Sequence, residues 1–274
     1  MFKIPAKDRV WEIDTPQIMG ILNATHDSFY EASRVQLLDI AVKKAGTFIQ
    51  NGASIIDIGG QSTRPGAQMI SVADEIQNVV PVIEAIRAQY PSVFLSVDTF
   101  QSKVAEAALL AGADIVNDIS CGSFDPAIIK IVATQNAGYI GMHLTGDKNS
   151  MHLVPTRNNI IKEVVEYFEQ KKKEFTQLGI SSWVIDPGFG FGKSIQDNFE
   201  LVKSLNQFTT LALPILLGVS RKSSIYKTLE IDANEALNGT TVVNTVGLLN
   251  GANILRVHDV KEAYQITQLL PYLS

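Results

Sequence analysis

Eight short runs rich in Ile, Val and Leu, each followed by a segment of helical periodicity, restrict the fold of this chain more than any other feature. The runs are Ile18–Asn23, Ser54–Ile58, Val93–Asp98, Ile115–Ile119, Tyr139–Leu144, Trp183–Asp186, Ile215–Val219 and Ile254–Val257. They are apolar on both faces, the pattern of strands covered by helices outside and by a packed interior inside. Between them, Leu38, Ala41, Val42, Ala45, Phe48 and Ile49 share one helical stripe, as do Ile76, Val79, Val80, Ile83 and Ile86, then Val104, Ala107, Ala108 and Ala111. Further helical segments are expected near 127–136, 158–178, 197–208, 232–250 and 260–270. Asn51-Gly52, Ala111-Gly112, Ala137-Gly138 and Leu178-Gly179 read as helix ends that turn through a left-handed residue. Eight β-then-α units without a composition break predict an α/β, single-domain (β/α)8 barrel over residues 1–274. A doubly wound open sheet is the alternative, but no glycine-rich dinucleotide turn follows the first strand. Val10-Trp11-Glu12-Ile13 forms a short N-terminal extension, either a strand or a plug at the N-terminal face.

Composition narrows the function class. The 23 basic and 28 acidic residues leave a net charge of -5, which points to neither a nucleic-acid nor an anionic-membrane partner. An anionic substrate would have to be held by local groups. Charges and a proline interrupt the first residues too early for a signal-peptide core, and apolar stretches such as Leu211 to Val219 are too short for a membrane span. Cys121 is the single cysteine, which excludes an intrachain disulfide and a cysteine zinc site and favours a reducing, cytoplasmic setting. The run Lys171-Lys172-Lys173 reads as a solvated helix face.

Polar residues recur where the strands end. They are Asn23, Asp57, Asp98, Asn117, Asp186, then Ser220-Arg221-Lys222, then Arg256 and His258, with His143 inside the fifth run. Singly, each reads as a cap, a turn residue or a solvated charge; together, at the C-terminal face of a barrel, they mark a site. Alternation puts Arg256 and His258 on one side of the last strand, beside Asn23 of the first, where a phosphate is held in many barrels. His258 is either a second phosphate donor or a structural residue. Asp57, Asp98, Asn117, Asp186 and Lys222 supply donors and acceptors suited to the edge of a planar nitrogen heterocycle. Zinc-ligand spacing is absent, whereas a hard cation such as Mg2+, held mostly by phosphate and water, remains compatible. Two glycine-bearing loops follow strands two and six: Gly59 to Gly66, and Asp186-Pro187-Gly188-Phe189-Gly190-Phe191-Gly192-Lys193. In the second, Phe189 and Phe191 are candidate walls for an aromatic ligand.

The segments Ile18-Met19-Gly20-Ile21-Leu22-Asn23, Asp57-Ile58-Gly59-Gly60-Gln61-Ser62-Thr63-Arg64-Pro65-Gly66, Ser96-Val97-Asp98-Thr99, Val116-Asn117-Asp118 and Gly141-Met142-His143 occur in this order. The sixth-strand loop, Gly218-Val219-Ser220-Arg221-Lys222 and Leu255-Arg256-Val257-His258-Asp259 follow. Together they closely resemble the dihydropteroate synthase family over essentially the whole chain. The resemblance implies a transferase that joins a pterin diphosphate to 4-aminobenzoate, releasing diphosphate. It implies that Asp98, Asn117, Asp186 and Lys222 hydrogen-bond the pterin, that Arg256 stacks over it, and that Met142 and Phe191 line the pocket. Asn23, Arg256 and His258 would hold the diphosphate, with Asn23 also contacting Mg2+. Thr63, Arg64 and Pro65 would belong to a loop over the 4-aminobenzoate site, bordered by Ser220 and Lys222. Asp98, Lys222, Arg256, Thr63 and Arg64 are the residues expected to bear on the chemistry, and a homodimer is the expected assembly.

The chain departs from the family pattern in three places. Asn23-Ala24-Thr25-His26-Asp27-Ser28-Phe29 stands where Asn-Val-Thr-Pro-Asp-Ser-Phe is common, and Ala32-Ser33 replaces a usual glycine pair. Gln61 replaces a common Glu, and Gly146-Asp147-Lys148-Asn149-Ser150-Met151-His152 is atypical. These changes bear on loop closure and turnover. A non-catalytic pterin-binding barrel and a pterin-dependent methyltransferase domain are the alternatives; product formation separates them from a synthase.

Overall fold

The computed structural model describes residues 1–24, 34–61, 68–148, 150–151, 153–155 and 158–273. Two antiparallel strands open the chain, β1 (Phe2–Ala6) and β2 (Arg9–Ile13), paired from Phe2–Ile13 to Ala6–Arg9. Eight parallel strands follow: β3 (Gln17–Asn23), β4 (Ile55–Gly59), β5 (Phe94–Asp98), β6 (Ile115–Asp118), β7 (Gly138–Met142), β8 (Val184–Asp186), β9 (Leu216–Leu217) and β10 (Ile254–Val257). They lie in the order β8-β7-β6-β5-β4-β3-β10-β9. A parallel bridge between Ile185 and Ile215, with Ile185 N donating to Pro214 O at 3.0 Å, joins the two ends and closes the barrel. Among the described residues, no helix is long and apolar enough to cross a membrane.

The N-terminal segment is indeed a plug, but it is a hairpin rather than one strand. Ile4, Ala6, Trp11 and Ile13 are buried and pack on Met19, Ile55, Phe94, Ile115, Ile140, Val184, Leu216 and Ile254, one residue from each barrel strand. Trp11 Nε1 donates to Gln17 Oε1 at 2.7 Å, so the indole leaves no unsatisfied donor in this apolar floor. The first strand is hidden in the sequence because Lys3 and Pro5 interrupt its apolar pattern.

The strands' outward residues, among them Ile56, Ile58, Leu95, Val97, Val116, Leu255 and Val257, pack in the main hydrophobic core. The helices that cover them are α1 (Arg34–Gln50), α2 (Val72–Gln89), α3 (Ser102–Leu110), α4 (Ala127–Gln135), α5 (Ile160–Gln177), α6 (Ile195–Lys203), α7 (Ser223–Leu229), α8 (Leu237–Leu249) and α9 (Val260–Leu269). Caps set several starts: Ser71 accepts from Asp74 N, Asn159 from Lys162 N, and Ser194 forms a capping box with Asp197.

Four local expectations change. The stretch near 232–250 is α8 preceded by a separate α7, whose seven residues are too few to show a period; Glu230, at φ 56°, ends it. Residues 205–211 continue α6 as a tighter 3-10 turn. At the end of α4 the left-handed residue is Asn136, at φ 50°, not Gly138. Gly138 instead begins β7, where a Cβ would meet Ile115 Cγ1 at 2.9 Å and Pro5 O at 3.3 Å, so its role is close approach to the plug. The lysine run is only partly solvated. Lys172 Nζ donates to Leu211 O at 2.6 Å and Lys171 pairs with Glu174 at 3.0 Å.

Candidate active site

The site is the second inward layer of the barrel. Two residues beyond the apolar floor, the inward positions become Asp57 after Ile55, Asn117 after Ile115, Met142 after Ile140, Asp186 after Val184 and Arg256 after Ile254. On β5 the sequence Phe94, Ser96, Asp98 makes the same change, and on β3 Met19, Ile21, Asn23 reaches it at the rim. Alternation fixes these side chains inward because their neighbours are committed to the outer core.

One network joins β4, β5, β6 and β10. Arg256 Nε donates to Asp57 Oδ2 at 2.7 Å, and its Nη2 donates to Asp98 Oδ2 at 2.6 Å. Asn117 Nδ2 donates to the same Asp57 oxygen at 3.1 Å. Asp57 is fully buried, so it grips Arg256 and Asn117 rather than offering an exposed edge. Asp98 keeps 12% side-chain exposure at the rim. Burial pushes its carboxyl up to about 7, helped by the nearby Asp57, Glu75 and Asp118 carboxylates and opposed by Arg256. Burial disfavours the Arg256 charge, but Asp57 and Asp98 more than offset this, so the guanidinium is held firmly protonated.

A second group lies on β8 and the loop after β9. Asp186 accepts from Gly188 N at 2.7 Å; burial raises its carboxyl, and Lys222, that N–H, Lys193 and Arg256 oppose the rise. Burial lowers the Lys222 ammonium to about 8, with Asp186 working against it. Lys222 Nζ donates to Phe189 O and lies 4.6 Å from the centre of the Phe191 ring. Phe191 and Met142 join Phe100, Ile119, Phe124, Leu144 and Met151 in an apolar cluster at this end of the barrel. Ser220 Oγ and His258 Nδ1 are 3.1 Å apart, and His258 N donates to Ser220 Oγ at 3.2 Å.

Two strand-end candidates and one loop candidate fall outside the site. His143 is one residue past the inward Met142; it turns outward, edge-on to the rings of Tyr167 and Phe168, with Nε2 3.6 Å from Glu163. Arg221 forms a two-point ion pair with Asp259, both contacts 2.8 Å, and ties the loops after β9 and β10 together. Phe189 is buried in the outer core against Phe199, leaving Phe191 as the aromatic wall. Thr63, Arg64 and Pro65 lie outside the described residues, as do His26, Ala32, Ser33, Asn149 and His152.

Sequence reasoning assigns no role to Glu75, Lys193 or Asn198, all of which are buried. Glu75 carried a signal: it stands four residues before Val79 on the buried stripe of α2. Its carboxyl is raised by burial and accepts from Gln101 Nε2 at 2.5 Å. Asn198 Oδ1 accepts from Gly190 N at 2.7 Å, which fixes the loop after β8.

A hard cation held mainly by phosphate oxygens and water needs few protein donors. Among the described residues no group of three His, Cys, Asp or Glu side chains is placed to hold a metal. Asn23, half-buried at the rim of β3, offers one amide oxygen. That fits Mg2+ carried by phosphate oxygens and water.

Comparison with known proteins agrees with this geometry. A profile of the family described as pterin binding enzyme matches residues 19–258. The chain is 39% identical over 270 residues to dihydropteroate synthase of Escherichia coli strain K12, covering 98% of this chain and 95% of that one. The solved dihydropteroate synthase of Xanthomonas albilineans with 4-aminobenzoic acid superposes with a TM-score of 0.90 at 33% identity, covering 99% of this chain and 97% of that one. The enzyme of the same organism in complex with 7,8-dihydropteroate gives 0.88 at 31% identity, covering 99% and 98%.

Proposed function

The chain belongs to the dihydropteroate synthase family of pterin-binding enzymes, and from that premise we propose how its strand ends divide the work. Its activity is the condensation of 6-hydroxymethyl-7,8-dihydropterin diphosphate with 4-aminobenzoate, giving 7,8-dihydropteroate and diphosphate in folate biosynthesis. The observation that carries the division is the inward layer of Asp57, Asn117, Met142, Asp186 and Arg256, completed by Asp98 and Lys222.

Asp98, Asn117, Asp186 and Lys222 hydrogen-bond the pterin, whose amino, ring N–H and oxo groups need both acceptors and donors. Met142 and Phe191 supply the apolar wall, and the Arg256 guanidinium covers the ring face. Asp57 serves the same ligand through Arg256 and Asn117. Asn23, Arg256 and His258 take the diphosphate. Asn23 would hold Mg2+, which would supply charge neutralisation to the departing diphosphate. Ser220 and Lys222 border the 4-aminobenzoate site, and Thr63, Arg64 and Pro65, which follow β4 in the sequence, complete it.

The arylamine nitrogen attacks the exocyclic methylene carbon, the carbon–oxygen bond to diphosphate breaks, and the amine loses a proton. No side-chain nucleophile is required. The protein's contribution is placement of the two reactants and electrostatic support. In this reading the Asp98 carboxylate stabilises positive charge shared between the methylene and the ring, while Arg256 stabilises the oxygen that leaves. Thr63 and Arg64 act on the chemistry by holding the second substrate.

The proposed assembly is a homodimer. Val242, Val246 and Leu249 are 55%, 40% and 48% exposed on one face of α8, an apolar stripe suited to a second copy. Sedimentation at micromolar concentration tests this, and a monomer there refutes it. A cytoplasmic location is proposed on the single, buried Cys121. The decisive test of function is dihydropteroate formation from both substrates with Mg2+. Tight pterin binding without product would instead mark a binding protein.

A further inference from the structure

Lys193 closes the loop after β8, a place where a lysine ordinarily extends into solvent, yet it is 6% exposed. Its ammonium lies 2.9 Å from Gly188 O, 3.1 Å from Phe191 O and 3.3 Å from His143 O. An ammonium withdrawn from water is strongly disfavoured unless acceptors replace its hydration, and three carbonyl oxygens do so here. These carbonyls belong to different pieces of chain: the end of β7, the start of the loop and its far side. At the contact between them the backbones nearly touch. Gly188 has φ 76°, and a Cβ there would fall 1.9 Å from His143 O. The loop is therefore pressed onto β7 by glycine and stitched there by Lys193.

What this loop carries gives the stitch its consequence. Gly188 N donates to Asp186, Phe189 O accepts from Lys222, and the Phe191 ring lies under the Lys222 ammonium. Two lysines thus hold one loop, Lys193 from the β7 side and Lys222 from the site. On the proposed reading Lys222 turns part of its hydrogen bonding to the pterin, which weakens its hold on Phe189 O. Lys193 is not among the residues assigned to the ligand, so its grip on Gly188 and Phe191 persists through binding. The positive charge of Lys193 also opposes the rise of the Asp186 carboxyl.

We infer that Lys193 is a positioning residue of the pterin site: its buried ammonium fixes the loop that sets Asp186, Phe191 and Lys222 around the ring. This rests on the pterin reading of the pocket and goes beyond it by naming a residue that acts without touching the ligand. The diphosphate residues Asn23, Arg256 and His258 are carried by β3, by β10 and by the residue just after it, not by the stitched loop. Losing Lys193 should therefore separate the two halves of the substrate.

The test is calorimetric titration of the full chain and its Lys193→Met variant with 6-hydroxymethylpterin and, separately, with Mg2+–diphosphate. Methionine keeps the apolar stem and removes the ammonium. Pterin affinity should fall at least about tenfold, as expected when a bound group loses well-placed hydrogen-bond partners. Diphosphate affinity should stay within about twofold, as for independent sites. In steady state the same variant should raise KM for the pterin substrate more than it lowers kcat. Should Lys193→Met not fold, Lys193→Gln, which keeps two N–H donors on a shorter neutral chain, must show the same split at smaller size. Unchanged pterin affinity in a folded variant, or equal loss of both ligands, overturns the inference. A wild-type chain that binds Mg2+–diphosphate but no pterin overturns the pterin reading itself, and this inference with it.

Discussion

The charges of Asp98 and Lys222 predict a narrow pH window for pterin binding. Asp98 is pushed up to about 7 and Lys222 down to about 8, so the two titrate in opposite senses within one unit. The carboxylate appears as pH rises through the first value, and the ammonium is lost as pH rises through the second. If the ligand needs both charges, affinity follows the fraction of chains that carry both. That fraction is about 0.6 near pH 7.5 and about 0.1 near pH 6 and pH 9, a fall of about sixfold, or about 1 kcal/mol, on each side. Calorimetry with a free pterin across that range measures the profile.

Two variants assign the limbs. Asp98→Asn should remove Asp98's share of the acid limb and leave any share of Asp186, whose carboxyl burial also raises. Lys222→Gln should remove its share of the alkaline limb. Titration of the ligand is common to all three proteins and cancels in the comparison. An acid limb of unchanged midpoint and steepness in Asp98→Asn would refute the assignment of Asp98 as the controlling charge.

Four other substitutions probe separate parts of the molecule. Asp186→Asn replaces a charged acceptor by an amide of equal size, and calorimetry should show pterin binding weaker by about 2 kcal/mol; unchanged affinity in a folded variant rules out its pocket role. His258→Ala should weaken binding of Mg2+–diphosphate by about 1–3 kcal/mol while sparing free pterin, whereas Arg256→Ala should weaken both. Equal pterin losses in the two would refute the division of the pocket. Trp11→Ala opens the barrel floor and should cost about 3–5 kcal/mol in denaturant unfolding; a loss below about 1 kcal/mol would mean the hairpin is not part of the cooperative fold.

The barrel was legible because every strand is apolar on both faces, and the site because polar residues interrupt that pattern at the same height. What the sequence concealed has physical causes. His143 and Met142 are adjacent, so the inward and outward choice between them depends on which residue begins β7, a one-residue question that apolar content does not decide. Arg221 lies between two site residues and carries the same charge as Lys222, but its partner Asp259 is reached only through the fold. Lys193 looks like an ordinary loop lysine; its burial depends on three carbonyls gathered from residues 143, 188 and 191. The family resemblance supplied the roles of Asn23, Met142 and Thr63, which their residue types alone do not specify.

The Arg256 network offers a reason why a chain of net charge -5 accepts an anionic substrate end at this point. A free guanidinium at a barrel mouth would be hydrated and mobile, and its ordering would be charged against ligand binding. Here Nε and Nη2 are already committed to Asp57 and Asp98, and Asp57 is anchored in turn by Asn117. The planar group is thereby oriented before any ligand arrives, with Nη1 left outside both carboxylate bonds. A phosphate oxygen can take that donor without breaking either ion pair, so the electrostatic gain is not spent on rearrangement. The same two carboxylates reduce the net positive charge seen by the phosphate, so Arg256 alone is a weak anion trap. Binding then depends on a second donor and on a cation that accompanies the phosphate, the parts proposed for His258 and for Mg2+ at Asn23.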